Sequence, residues 1–274
     1  MTSSIENMNI LYNIMARLHK AGHPFVFKGT LVLRQLIQEN TNLMTSRLSK
    51  DTDGDWTGEK ITSSELLDII NSILGEIEQK GLIAKIIREP TEKRSAGFVI
   101  CRDEIELFGI DISFKRNDWC VEYKLTDTDS YMGATKNKMY ADKMCAVSER
   151  SVYRRAKDIY DLFILSHVSG FKISELKDIV REIGREVGEF NQFLNNVSEL
   201  RKGYDALEGI INKPSFEEAY GRARDFVMPF ITSSDVDGLW SVADGVWAEL
   251  SVSNNIPEND KSYLHERPGN KLSF

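Results

Sequence analysis

Cysteine is scarce in this chain. Its three cysteines, Cys101, Cys120 and Cys145, are widely spaced and odd in number. That argues against a disulfide framework and a thiolate zinc cluster, and leads us to expect a reducing, cytoplasmic setting. Four histidines give little support to a histidine-based hydrolase. No apolar run approaches the roughly 20 residues of a membrane span, so no membrane association is expected. The first residues, MTSSIENMNI, carry neither a basic segment nor an apolar one, so no secretory signal is expected either. Excess positive charge is also missing: 35 Lys and Arg stand against 42 Asp and Glu, a net charge of -7. A protein coated with nucleic acid would be basic, so any contact with RNA must be local.

What is present is an ordinary globular composition, 41% hydrophobic and 28% charged, over 274 residues. A helix is predicted over 3–21, with Ser3 and Glu6 as a cap and Met8, Leu11, Met15 and Leu18 as its apolar stripe. A strand over Pro24–Phe27 runs into Lys28-Gly29-Thr30, and a second helix reaches Asn40. Such a strand–glycine–helix turn points backbone N–H groups at an anion. A short strand is expected near Leu48–Thr52, and a helix runs from the Thr62/Glu65 cap to Lys80. Strands follow at Leu82–Arg88, Gly97–Arg102, Ile105–Lys115 and Trp119–Leu125. Thr126–Gly133 reads as a linker, and helices are expected over 136–150, 154–168, 173–189, 198–208 and 215–230. The pattern is α+β: a mixed sheet flanked by helices over 1–130, an all-α lobe over 131–250, and a flexible tail over 251–274.

Two constellations carry chemistry. In Arg47-Leu48-Ser49-Lys50-Asp51-Thr52-Asp53, the two aspartates project from the same face of a strand. Adjacent carboxylates repel, and a divalent cation relieves the repulsion, as nucleotidyl transfer requires. Asp111, set among apolar residues on a strand, is the candidate third ligand. D-x-D pairs also occur in solvated turns, as at Asp127/Asp129 and Asp235/Asp237. A calcium loop at Asp51–Asp55 fails on spacing, with Trp56 and Thr62 at the positions needing Gly and Glu. The second constellation is basic: Lys136, Lys138, Lys143, Arg150, Arg154, Arg155 and Lys157, followed by Asp158 and Asp161. It reads equally as a solvated helix pair joined by Lys157–Asp161 and Arg154–Asp158 ion pairs, or as a site. In the second case Lys143 binds triphosphate, Asp158 orients it or acts as general base, and the other cations meet RNA phosphates.

Taken together, these residues resemble the AbiEii (AbiEii/AbiGii-type) family of nucleotidyltransferase toxins, which includes the MenT group, within the DNA polymerase β-like superfamily. The matching positions are Gly29-Thr30, then Arg47, Ser49, Asp51 and Asp53, then Asp111, then Lys143, Ala146 and Lys157-Asp158-Ile159-Tyr160-Asp161, spread over residues 25–165. Ser215–Ile231 is similar to the family's C-terminal helical region. Thr30 departs from the usual Gly or Ser, and Lys157 from the common Arg, losing planar bidentate pairing. The resemblance implies a toxin of a toxin–antitoxin or phage-defence system, an NTP co-substrate with Mg²⁺ or Mn²⁺, a tRNA 3′ end as acceptor and a separately encoded antitoxin. It implies metal on Asp51, Asp53 and Asp111, and nucleotide on Lys28, Gly29, Thr30, Arg47, Ser49 and Lys143. Lys143 and Asp158 would complete catalysis, with Asp161, Arg150 and Arg154 as additional site residues. The same fold could instead modify a protein hydroxyl, or bind nucleotide without turnover.

Overall fold

The computed structural model of the chain describes residues 2–40, 43, 45–47, 51–91, 95–114, 118–149 and 155–250. Ser49, Arg150, Arg154 and the expected tail over 251–274 lie outside the described residues, as does the side chain of Ser3.

The N-terminal helix α1 (Thr2–Lys20) buries the expected stripe of Met8, Leu11, Met15 and Leu18, widened by Ile10 and Ile14. It is followed by β1 (Phe25–Lys28), α2 (Thr30–Asn40), β2 (Ser46–Arg47), β3 (Asp51–Trp56) and α3 (Ser63–Gly75). The reciprocal cap read from the sequence opens α3: the Thr62 hydroxyl accepts from the Glu65 N–H, and the Glu65 carboxylate accepts from the Thr62 N–H at 2.8 Å. The helix stops at Gly75 instead of Lys80. The N–H groups of Glu76 and Ile77 turn back to Ile73 and Leu74, a three-residue spacing that tightens and ends the last turn.

Next come β4 (Leu82–Arg88), β5 (Ala96–Arg102), β6 (Ile105–Ser113), β7 (Cys120–Lys124) and β8 (Ser130–Ala134). A seven-stranded sheet forms in the order β4-β5-β6-β3-β1-β8-β7. The β3–β6 and β1–β8 pairs are parallel and the rest antiparallel, so the sheet is mixed, as expected. The linker expected over Thr126–Gly133 is a correction: only its first residues turn, and the remainder is β8. Tyr131 drives that outcome, since it is buried against Tyr123 (5.5 Å between ring centroids) and edge-on to Phe27. Helices α1 and α3 cover one face of the sheet, where Phe25, Phe27, Phe98, Ile110 and Ile112 are buried. Register then places Lys28, Asp53 and Asp111 side by side on the other face.

The second half supplies α4 (Lys136–Ser148), α5 (Ala156–Leu165), α6 (Ile173–Glu182), α7 (Asn191–Asn195), α8 (Val197–Asp205), β9 (Ile210–Ile211) and α9 (Phe216–Ile231). The helix expected to reach residue 189 ends at Glu182, where Gly184 takes a left-handed φ of 62°. Beyond α9 lies a hairpin that the helical pattern did not foretell, β10 (Gly238–Ser241) and β11 (Val246–Glu249). Its cross-strand pair Trp240 and Trp247 packs on Phe226 of α9. All three cysteines are free. No described helix is long and apolar enough to cross a membrane.

Gly54, between Asp53 and Asp55, faces the packed side of the sheet. A Cβ there would lie 2.1 Å from Cε1 of the buried Phe25 ring. Gly54→Ala is therefore expected to lower stability by about 1–3 kcal/mol, read from urea unfolding. An unchanged midpoint would show that the Phe25 ring can vacate this space.

Candidate active site

Strand β3 carries Asp51, Asp53 and Asp55 on one face, with Thr52 and Gly54 buried beneath. The neighbouring strands bring their own chemistry by register: Lys28 of β1 stands opposite Asp53, and on β6 Gly109, Asp111 and Ser113 stand opposite Asp51, Asp53 and Asp55. Asp51 and Asp53 both remain exposed on the cleft side. Each is bordered by a glycine that leaves its carboxylate room. A Cβ on Gly109 would come within 2.7 Å of Asp51 Oδ1, and one on Gly29 within 3.0 Å of Asp53 Oδ2. Gly29 also has a φ of 77°, which lets the chain turn from β1 directly into α2.

Asp53 makes no hydrogen bond or ion pair among the described residues. Its carboxyl is held above the ordinary carboxylate range, chiefly by removal from bulk water and also by the charge of Asp111. The ammonium groups of Lys28, Lys143 and Lys157 offset this only in part. Asp111 behaves differently. It leans away toward the sheet edge, where Arg88 Nη2 of β4 binds it at 2.6 Å while donating to Ser95 as well. Accordingly, no three acid, imidazole or thiol groups converge as a metal cluster among the described residues. The expected Asp51–Asp53–Asp111 triad is thus one acid lining the cleft, one exposed on the same strand face, and a third engaged by an arginine.

Asp55 is a site residue that the sequence reading passed over. It is buried, and Lys28 Nζ reaches it at 2.5 Å and Ser113 Oγ at 3.3 Å. Its signal was available: it continues the D-x-D alternation by one more step.

The opposite wall comes from α4 and α5. Lys143 Nζ lies 2.7 Å from Asp161 and 2.9 Å from Asp158, which are 0% and 2% exposed. Arg47 Nη2 stands 3.5 Å from the other Asp161 oxygen and donates to the Thr30 hydroxyl. Arg155 Nη1 is 3.6 Å from Asp158 Oδ2. Burial alone would raise the Asp161 carboxyl, but Lys143 and Arg47 outweigh it and hold it below the usual range. Burial would likewise lower Lys143, yet Asp161 and Asp158 push it well above the usual lysine range. Lys143 is therefore a fixed positive charge at neutral pH and not a proton acceptor.

Between floor and wall opens a cleft of about 680 Å³ that brings together Lys28, Gly29, Asp53, Lys143, Lys157 and Asp158. Thr30 and Arg47, expected to meet nucleotide directly, do not line it; they sit behind Lys143 as its support. The alternative Lys157–Asp161 ion pair is not formed, because Asp161 points inward to Lys143 while Lys157 is exposed at the cleft. A smaller hollow of about 340 Å³ beneath the β10–β11 hairpin lies apart from these groups.

Comparison with known proteins places the chain in a family. The family model described as nucleotidyl transferase AbiEii toxin, type IV TA system, matches residues 11–242. Among solved structures, MenT4, a nucleotidyltransferase toxin from Mycobacterium tuberculosis H37Rv, is similar over 85% of both chains at 14% identity, with a TM-score of 0.58. An antigenic nucleotidyltransferase-like protein from Paracoccidioides brasiliensis aligns with 72% of this chain and 93% of its own, at 13% identity and a TM-score of 0.41. No curated protein sequence matches.

The buried network has a pH signature. Asp161, depressed when folded, contributes stability that is full above its unfolded value of 3.8 and lost as pH falls through the lower folded value. Lys143, raised when folded, contributes stability that is full below 10.5 and lost as pH climbs through the higher folded value. Lys143→Met leaves two buried carboxylates with only the more distant Arg47 and Arg155, and is expected to cost about 3–5 kcal/mol at neutral pH. The deficit should shrink between about pH 7.5 and pH 5, because weakly paired buried carboxylates then take up protons on folding. Urea unfolding at both pH values checks this, and a pH-independent deficit would contradict it.

Proposed function

The chain belongs to the AbiEii family of nucleotidyl transferase toxins of type IV toxin–antitoxin systems, and from that premise we propose that this cleft performs metal-dependent transfer of a nucleotide from an NTP to RNA, with the tRNA 3′ end as acceptor. The observation that carries the reading is Asp53: a carboxylate on the cleft floor, without an ion pair among the described residues and only partly offset by nearby lysines, lining the same cleft as a permanently charged lysine on the wall.

The donor set fits a hard divalent cation. Asp51 and Asp53 offer carboxylate oxygens on one strand face, both bordered by glycine, and Asp53 has no protein cation bound to it among the described residues. Mg²⁺ or Mn²⁺ held by Asp51 and Asp53 would neutralise phosphate charge and lower the pKa of an attacking hydroxyl. Asp111 could join only by giving up Arg88.

The chain's own groups account for the remaining roles. Lys143, and Lys157 beside it, face the triphosphate and stabilise the charge that builds on it. Lys28, at the Gly29 turn, neighbours both Asp53 and the N-terminus of α2. Asp158 lines the cleft and orients the Lys143 ammonium, which it binds at 2.9 Å, while the proton of the acceptor hydroxyl leaves to water. In that reaction the acceptor oxygen bonds to the α-phosphorus, the bond from that phosphorus to the bridging oxygen breaks, and pyrophosphate leaves. Arg47 and Thr30 act through Asp161 to position Lys143. Lys157, exposed at the cleft, is available to an acceptor phosphate, while Lys138, Arg155 and Arg185 there are paired with acids. A separately encoded antitoxin and a role in phage defence in the cytoplasm complete the proposal.

Asp53→Asn is expected to reduce incorporation of α-labelled NTP into total RNA by about a hundredfold or more. The same change should raise the thermal midpoint, because the ionised carboxylate is disfavoured in the fold. Full incorporation by the variant would defeat the proposal. Labelling of lysate protein in place of RNA would reassign the acceptor.

A further inference from the structure

Among the described residues lining the cleft there is one aromatic side chain, Trp119, and nothing in the phosphate and metal chemistry above employs it. Trp119 immediately precedes β7. Its carbonyl oxygen accepts the N–H of Thr135 at 2.9 Å, and Thr135 caps α4, so the residue is fastened to the start of the helix that bears Lys143. Part of the indole packs on the hydrophobic core, and the rest stays half-buried at the cleft. The other three tryptophans do not line the cleft: Trp56 donates to the Glu59 carbonyl, while Trp240 and Trp247 donate to Ser166 and Phe226 carbonyls and pack on the Phe226 ring.

Ile183 and the almost wholly buried Met139 also line the cleft, whose other lining is mostly charged. Thr135, to which the Trp119 backbone is fastened, lies about 12 Å before Lys143 along the axis of α4. The lining therefore divides into fixed charge and one flat, half-buried aromatic side chain. A nucleoside triphosphate has the same division: a polyanion at one end, a flat and weakly solvated base at the other, and a sugar between.

We infer that Trp119 is the platform on which the base of the NTP stacks. The inference rests on the reading of the cleft as a nucleotide-transfer site. Every base presents a π face, so such a platform tolerates all four bases. It selects a nucleotide over a bare polyphosphate and, through contact area, a purine over a pyrimidine.

The test compares binding of each of the four NTPs with binding of inorganic tripolyphosphate, in Mg²⁺, by the full chain and by Trp119→Ala and Trp119→Phe. The expected result is that Trp119→Ala weakens NTP binding by about tenfold or more while tripolyphosphate binding is unchanged, and that Trp119→Phe keeps most of the affinity. NTP, but not tripolyphosphate, should quench the wild-type tryptophan fluorescence, and Trp119→Phe should abolish the quench; this decides the matter even if the alanine variant does not fold. Equal losses for both ligands, or no loss and an undiminished quench, would overturn the stacking role and leave the transfer reading standing. Failure of the wild type to bind either ligand would overturn both.

Discussion

The ammonium of Lys143, held between Asp158 and Asp161, is the interaction on which the rest of the arrangement depends. Removing such charges from water costs several kcal/mol for each ion, and their attraction returns this only when the geometry is tight. Here it is tight, at 2.7 and 2.9 Å, with Arg47 and Arg155 beyond. An apolar trio of similar volume would hold the helices together at least as well. What the charges add is position: they fix one lysine tip at the cleft, and through Arg47 and Thr30 they tie that tip to the start of α2.

The floor of the cleft follows the opposite rule. On the wall every acid has a cation, whereas Asp53 on the sheet is left without one among the described residues, and its carboxyl is raised accordingly. A fold selected for stability alone would place an arginine there, as it has beside Asp111. Asp111 is bound by Arg88, whereas the Asp53 carboxylate one strand away has no ion pair among the described residues. Neighbouring glycines keep that space open. The site therefore combines a compensated wall with an uncompensated floor, and the stability given up at the floor is offset by the buried core behind the sheet.

Much of this was legible in the chain because it is local. The α1 stripe, the Thr62/Glu65 cap and the shared face of Asp51 and Asp53 each depend on residues within a turn or two of one another, where periodicity and capping chemistry decide. What was not legible depends on distant partners. TDTDSYMG reads as a turn until Tyr123 and Phe27 arrive to bury Tyr131. The four-residue strands of the C-terminal hairpin are too short to show alternation, and they form because Phe226 offers a surface for two tryptophans. The fate of Asp111 was set by Arg88, 23 residues earlier on an edge strand, and that of Arg47 by Asp161 on a helix in the other half. Side-chain destinations of that kind follow from topology, which no short window contains.

The short β2–β9 pairing joins Arg47 to Ile210, so the residue that steadies Asp161 is itself steadied by a strand some 160 positions downstream. A ribosome releases the acidic floor long before it releases that strand, and the lysine wall emerges between the two. A nascent chain thus holds the floor and the lysine wall apart from their shared brace until β9 has emerged.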